Sequence, residues 1–239
     1  MKIRTEVKTR RTRRTDARQR VLEAAEELFA KHGFDAVSIR DITSRCGANV
    51  AAINYHFGGR DKLVEEVMLR YVEPINQERL LRLESALQKW GAKAVPVEEL
   101  LDAFVRPLVT RVKKSELSER LFYKLCGRVF SEHIDTLPQP VELQFAPVLQ
   151  RFYDAFQSSV PELSREELVW RFHFMVGGML YLMSHQDLLQ RMSRGDSGEP
   201  SMEASISRFI RYSAAGFREG TRASIVEEQP MSPQGFFNF

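Results

Sequence analysis

The sequence predicts an all-α protein, and three observations carry the prediction. Apolar residues recur at spacings of three and four along most of the chain, no segment sustains the alternation of a half-buried strand, and glycines, prolines and N-cap residues punctuate the periodic stretches. With 239 residues and 43% hydrophobic content, the chain can bury one large core or two modest ones. No run of eighteen apolar residues occurs and the first twenty residues lack an apolar signal core, so the expectation is a soluble cytoplasmic protein with no membrane partner. Its two cysteines, Cys46 and Cys126, lie far apart without metal spacing, which argues against a disulfide framework or zinc site and leaves two reduced thiols.

The first element is charged rather than periodic. Lys2, Arg4, Lys8, Arg10, Arg11, Arg13, Arg14, Arg18 and Arg20 face only Glu6 and Asp16 in the first twenty residues, although the whole chain carries a net charge of only +3. A like-charge block is ordinarily a solvated, disordered arm, here residues 1–15. Such an arm also suits phosphates, because each Lys or Arg that meets one releases condensed counterions and adds affinity without reading sequence. The adjoining residues decide between these two roles.

From Asp16 the pattern turns helical. Val21, Ala24, Ala25, Leu28 and Phe29 share one face, and the helix ends near His32, before Gly33, the residue that most readily takes the left-handed C-cap conformation. Ser38 stands three residues before Asp41, a capping box that opens a short second helix, Ile39–Arg45, with Ile39 and Ile42 inward. Gly47 breaks it, and Asn49 is a preferred N-cap for a third helix. Two short helices joined by a glycine-bearing turn form a helix-turn-helix candidate over residues 16–62, whose second helix enters the DNA major groove.

That third helix reads "VAAINYHF". With Ile53 and Phe57 in the core, Ala51 and Tyr55 lie opposite, flanked by Ala52 and Asn54. Small side chains at its start permit close approach to base edges and contact with thymine methyls, and Asn54 matches an adenine bidentately. Tyr55 and His56 are long enough to meet phosphate oxygens, which fixes register without reading sequence.

The stretch from about Gln19 to Val67, "VLEAAEELFAKHGFDAVSIRDITSRCGANVAAINYHFGGRDKLVEEV" at its centre, resembles the tetracycline-repressor (TetR) family of bacterial one-component regulators. The resemblance implies that Ser38 and Arg40 open the second helix of the reader, that Val50, Ala51, Ala52 and Asn54 meet bases, and that Tyr55, His56, Arg60 and Lys62 meet the DNA backbone. Two positions depart from the family pattern. Asn54 stands where a tyrosine is common, so the base preference does not transfer, and Gly59 replaces the usual serine cap, at a cost of a few tenths of a kcal/mol.

The rest of the chain, residues 63–222, reads as a second helical domain. A long helix is expected over Asp61–Lys89 with a kink or break at Pro74, then helices over Val97–Lys114, Ser118–His133, Val141–Ser158, Ser164–Arg191 and Met202–Gly220. "SRGDSGEPS", 193–201, is a loop by composition, and 223–239 a flexible tail. "ELVWRFHFMVGGMLYLM" is apolar on nearly every face, so it must bury two sides. One meets its own domain and the other a second subunit, with Gly177 and Gly178 permitting close approach. The family resemblance implies the same homodimer, with Tyr181, Ser205, Phe209, Tyr212 and Phe217 contributing and two readers placed on a pseudo-palindrome.

The same domain holds surplus aromatic volume. Phe104, Phe122, Phe130, Phe145, Phe152, Phe156, Trp170, Phe174 and Met175, with Cys126, fill an ordinary core or border a ligand cavity between helices. Arg106, Arg171 and His173 are the polar exceptions, read either as satisfied inter-helix pairs or as anchors for an anionic head group. "NYHFG" and "WRFHFM" are similar to the TetR subgroup that includes fatty-acid and acyl-CoA responsive regulators, which implies such an effector, or a hydrophobic drug. No HExxH pair, GxSxG elbow, GxGxxG turn or phosphate loop occurs, so neither catalysis nor a cofactor is expected. The function expected is a ligand-released repressor binding a double-stranded operator; the rival is an architectural DNA-binding protein with no effector.

Overall fold

The computed structural model describes the backbone of residues 2–112, 115, 117–131, 137–194 and 201–219, and side chains from Ala17 onward except those of 130, 131, 184, 186, 187 and 190. Every regular element among the described residues is a helix. Helix α1 (Lys2–His32) extends back through the basic segment to Lys2, where the sequence leads one to expect a disordered arm. No glycine or proline interrupts that stretch, and Arg, Lys and Glu are good helix formers, so nothing local stops the helix. It closes at Gly33, whose φ of 90° lets its N–H reach Phe29 O at 2.9 Å.

Local hydrogen bonds set the next two helices. For α2 (Ile39–Cys46), Ser38 Oγ accepts the Asp41 N–H at 3.3 Å while the Asp41 carboxylate accepts the Ser38 N–H at 2.8 Å, a complete capping box. The Ser38 hydroxyl, which donates to the Asp41 carboxylate at 2.6 Å, and then the Ser38 N–H hold that carboxyl below its usual range. For α3 (Val50–Phe57), Asn49 Oδ1 accepts the Ala52 N–H at 2.8 Å. Phe29, Phe34, Ile42, Ile53 and Leu63 are buried between the helices, with the Phe29 and Phe34 rings 4.9 Å apart. Burial of each such side chain contributes about 1.5–3 kcal/mol relative to exposure. Ile39, expected inward, is only half-buried.

Helix α4 (Arg60–Trp90) passes through Pro74 as one helix, so of the kink or break expected there no break occurs. A proline ring removes one intrahelical bond, but Val67, Met68, Tyr71, Val72 and Ile75 are buried on either side of it and hold the axis by packing. Elsewhere prolines do divide helices. The stretch from Val97 separates at Arg106 into α5 (Val97–Val105) and α6 (Pro107–Val112). Helix α7 (Glu119–Ser131) comes next, and its expected end at His133 lies outside the described residues. A four-residue α8 (Gln139–Glu142) precedes α9 (Ala146–Ser159), which Pro147 opens in the first turn, where a missing donor costs nothing.

Helix α10 (Arg165–Ser184) ends at His185, whose ring stacks on Tyr181 at 4.6 Å, and α11 (Gln186–Met192) completes the stretch expected as one helix. Helix α12 (Met202–Arg218) is the last. Residues 195–200 of the expected loop and the tail expected at 223–239 lie outside the described residues.

Helix α4 is the spine: α3 packs at its start, and α5, α6, α8 and α9 pack further along. Helix α7 bridges α1 and α10, and α12 covers α5 and α10. An aromatic cluster joins the second half, with Phe104 5.1 Å from Phe152 and 5.0 Å from Phe172, and Phe156 stacked on Phe217 at 4.7 Å.

Candidate nucleic-acid interface and apolar cavity

Burial of Ile53 and Phe57 decides what α3 presents outward. Val50, Ala51, Asn54 and Tyr55 are exposed, and Ala52 and His56 half-exposed. Asn54 is therefore free of the core, one turn from the small-residue start of the helix. Ser38 and Arg40 are exposed on α2, and Lys62 lies exposed at the start of α4, paired with Glu65 at 2.7 Å. Arg60 is differently engaged. Its Nε donates to Val37 O at 3.1 Å and its Nη2 to Phe34 O, so it ties α4 to the α1–α2 connection.

Two further ties hold this unit. Glu27 receives Lys31 and Arg45, joining α1 to α2, and its carboxyl sits below the usual range because of these hydrogen bonds. Glu26, 2% exposed, faces Arg70 Nε at 3.2 Å, an ion pair without the alignment of a hydrogen bond. Burial outweighs that partner and pushes the Glu26 carboxyl up.

A cavity of about 740 Å³ lies among α4, α5, α9 and α10, large enough for a small organic molecule. Phe104, Phe145, Trp170 and His173, four of the residues expected at a pocket, border it, together with Tyr153 and Met179. Phe122, Cys126, Phe152 and Phe156 instead fill the core, all fully buried, and Met175 is buried too. Burial pushes the Cys126 thiol up, to about 12, so it is neutral. Phe174 projects outward, 66% exposed. The side chain of Phe130 is outside the described residues.

Neither arginine expected as an anchor borders the cavity. Arg106 pairs with Asp102 and Glu203 across α5 and α12. Arg171 pairs with Glu167 at 2.7 Å and donates to Gly216 O and Glu219 O, each at 2.6 Å, so it satisfies the carbonyl end of α12. The arginine that does border the cavity is Arg79, 2% exposed. Sequence reasoning passes over it because "QERLLRLES" looks like a charged outer face. A signal exists: Arg79 falls in register with Val72, Ile75, Asn76 and Leu83, a buried stripe.

The outer side of α10 remains apolar. Val169, Trp170, Phe174 and Tyr181 are exposed, as is Tyr212 on α12. Gly177 is exposed with nothing of its own chain near its missing side chain, whereas a Cβ at Gly178 would lie 3.1 Å from Phe209. Gly178, itself exposed, thus packs closely against Phe209 of its own chain, and Phe217, 2% exposed, belongs to the core rather than to an outer face. Phe209 and Ser205 are half-buried.

Comparison with known proteins accords with both halves. Residues 21–67 match the family described as bacterial regulatory proteins, tetR family, and residues 102–216 match the tetracyclin repressor-like C-terminal domain. The chain belongs to the TetR family of bacterial regulatory proteins. It is 26% identical over 113 residues to the HTH-type transcriptional regulator UidR of Escherichia coli, a match covering 41% of this chain and 58% of UidR. It is 30% identical over 73 residues to the HTH-type transcriptional repressor AcnR of Corynebacterium glutamicum, covering 29% of this chain and 39% of AcnR. The match thus spans 58% of the length of UidR and 39% of that of AcnR, less than two thirds of either. Among solved structures, the hemolysin II transcriptional regulator HlyIIR aligns with a TM-score of 0.55 at 19% identity, covering 83% of this chain and 97% of HlyIIR. AmtR of Mycobacterium smegmatis aligns with a TM-score of 0.52 at 17% identity, covering 82% and 86%. These likenesses establish the fold. No helix among the described residues is long and apolar enough to cross a membrane.

Proposed function

We propose that this protein is a repressor that binds a pseudo-palindromic operator as a homodimer and is released by a small, largely apolar effector. The observation that carries the reading is the orientation of α3: its two large apolar residues are buried, and its small start, Asn54 and Tyr55 face outward. Val50, Ala51, Ala52 and Asn54 are the base-reading group, and Ser38, Arg40, Tyr55, His56 and Lys62 the phosphate-contacting group. Arg60 supports them through the Phe34 and Val37 carbonyls.

The exposed apolar strip of Trp170, Phe174, Gly177, Tyr181 and Tyr212 supports dimerisation, because a patch of this kind marks an interface. Pairing through it sets two readers on half-sites roughly 34 Å apart or somewhat more. The cavity supports the effector, and α4, which borders the cavity and carries α3 at its start, supports the coupling. An effector that favours another placement of α4 shifts the population away from the DNA-competent state.

The test is fluorescence anisotropy on duplexes tiled across the DNA flanking the protein's own gene. One duplex is expected to bind at least about a thousandfold more tightly than the rest at physiological salt. Equal binding to all, governed by salt alone, would establish the architectural alternative instead.

A further inference from the structure

The reader unit is poorly charged for the partner proposed for it. Residues 21–67 carry five Lys or Arg against eight Asp or Glu, a net charge of −3. Four of those five cations are already engaged: Lys31 and Arg45 with Glu27, Lys62 with Glu65, and Arg60 with the carbonyls of Phe34 and Val37. A duplex carries one negative charge per about 1.7 Å of its axis, so this unit gains nothing from it by long-range attraction. Residues 2–20 reverse the balance, with nine Lys or Arg against Glu6 and Asp16, a net charge of +7 in a chain whose total is +3.

The fold fixes where that charge is delivered. Helix α1 runs without interruption from Lys2 into the reader, so residues 2–17 carry it about 24 Å beyond Arg18 at 1.5 Å per residue. Arg18 lies 5.2 Å from the centre of the Phe57 ring, at the last residue of α3, and pairs with Glu66 on α4. The His56 ring stands 6.3 Å from that of Phe57, and the Tyr55 ring 5.1 Å from that of His56. The extension therefore springs from the end of α3 that presents Tyr55 and His56. Between residues 2 and 17 only Ile3, Val7 and Ala17 are apolar, too few for the stripe that enters a lipid surface, whereas a phosphate backbone asks for charge alone.

We infer that residues 2–20 form a second DNA-contacting element, which lies on phosphates flanking the site read by α3 and supplies most of the electrostatic affinity for any duplex, operator or not. This rests on the proposed DNA-binding role and adds to it a hold that is independent of sequence. Phosphates recur about every 3.4 Å along each strand whatever the bases, so the segment engages whether or not α3 has found its site. The reader chooses the site, and the extension of α1 keeps the protein on DNA during the search.

Fluorescence anisotropy of the full-length chain against KCl concentration tests this, on the best-bound duplex from the flanking DNA and on a scrambled duplex of equal length. Each phosphate contact contributes about 0.9 to the slope of log K against log salt. Arg10→Gln, Arg11→Gln, Arg13→Gln and Arg14→Gln together are expected to lower that slope by about 3 to 4 per bound subunit on both duplexes, and removal of residues 2–15 by about 6, with the ratio of the two affinities unchanged. An unaltered chain whose slope is below about 2 per subunit overturns the inference before any variant is made. Slopes that neither variant changes overturn it too, as does a loss confined to the best-bound duplex, which would make the segment a reader of sequence. Unchanged slopes with lost binding to phosphatidylglycerol vesicles would assign the segment to lipid instead. Equal affinity for both duplexes, with slopes that fall as expected, would remove the repressor reading and leave this inference standing.

Discussion

Arg60 and Arg79 lie on one unbroken helix, roughly 28 Å apart along its axis at 1.5 Å per residue. The first grips the carbonyls of Phe34 and Val37 beside the reader, and the second grips Phe104 O at the cavity. In the proposed switch, this helix, held at both ends, would carry a displacement at the cavity to the reader.

Cutting the first pin should therefore loosen the reader. Arg60→Ala is expected to lower stability by about 1–3 kcal/mol, because it leaves two carbonyl acceptors unpaired, and to weaken operator binding. Denaturant unfolding and anisotropy read the two effects; unchanged values in both would show that Arg60 supports nothing.

Asn54 and Tyr55 are neighbours with different assigned tasks. Asn54→Ala is expected to shift affinity by about 1–3 kcal/mol at particular base pairs and hardly at all at others. Tyr55→Ala should weaken all duplexes alike. A binding screen across single-base operator variants separates these outcomes, and a uniform response to both substitutions contradicts the assignment.

The proposed pairing through the α10 strip is tested at Phe174. Phe174→Glu places a charge in the centre of the exposed α10 strip and is expected to yield a folded monomer by analytical ultracentrifugation, with operator affinity greatly reduced. A dimer of unchanged affinity would move the interface elsewhere.

Glu26 supplies a pH signature. Its folded carboxyl is raised above the ordinary value, so the folded state holds a proton that the unfolded state releases. Stability from this group is therefore highest below the unfolded value near 4.5 and falls as pH rises through the folded value. Relative to the unaltered protein, Glu26→Gln should gain stability on titration from acid toward neutral pH. A stability difference that is flat with pH would refute this.

Arg171→Ala is expected to fray the end of α12, which loses its bonds to Gly216 O and Glu219 O, and so to lower the melting temperature. An unchanged melting curve would show that these bonds do not hold the helix end.

The contrast between Ser38 and Arg79 shows what a sequence can disclose. Ser38 and Asp41, Asn49 and Ala52, and Gly33 bond to residues only three or four positions away, so their roles are written in local spacing. The helices of the second half are legible as apolar periodicity, but the divisions at Arg106, at Leu143–Phe145 and at His185 are not, since a periodic pattern survives a break that changes only direction. Arg106 and Arg171 stand out as polar residues in apolar runs, yet they find partners on α12, far along the chain. Arg79 is hidden for the converse reason, being one charge among many on a helix whose inner face only tertiary packing defines.

Trp170 belongs to two surfaces, the rim of the cavity and the outer strip of α10. Whatever docks on that strip becomes a stopper in the doorway. On the proposed dimer, exchange of a guest would therefore be quickest for the lone subunit and slow as concentration drives subunits together, so that the clock on the proposed switch would be wound by how much of the protein is present.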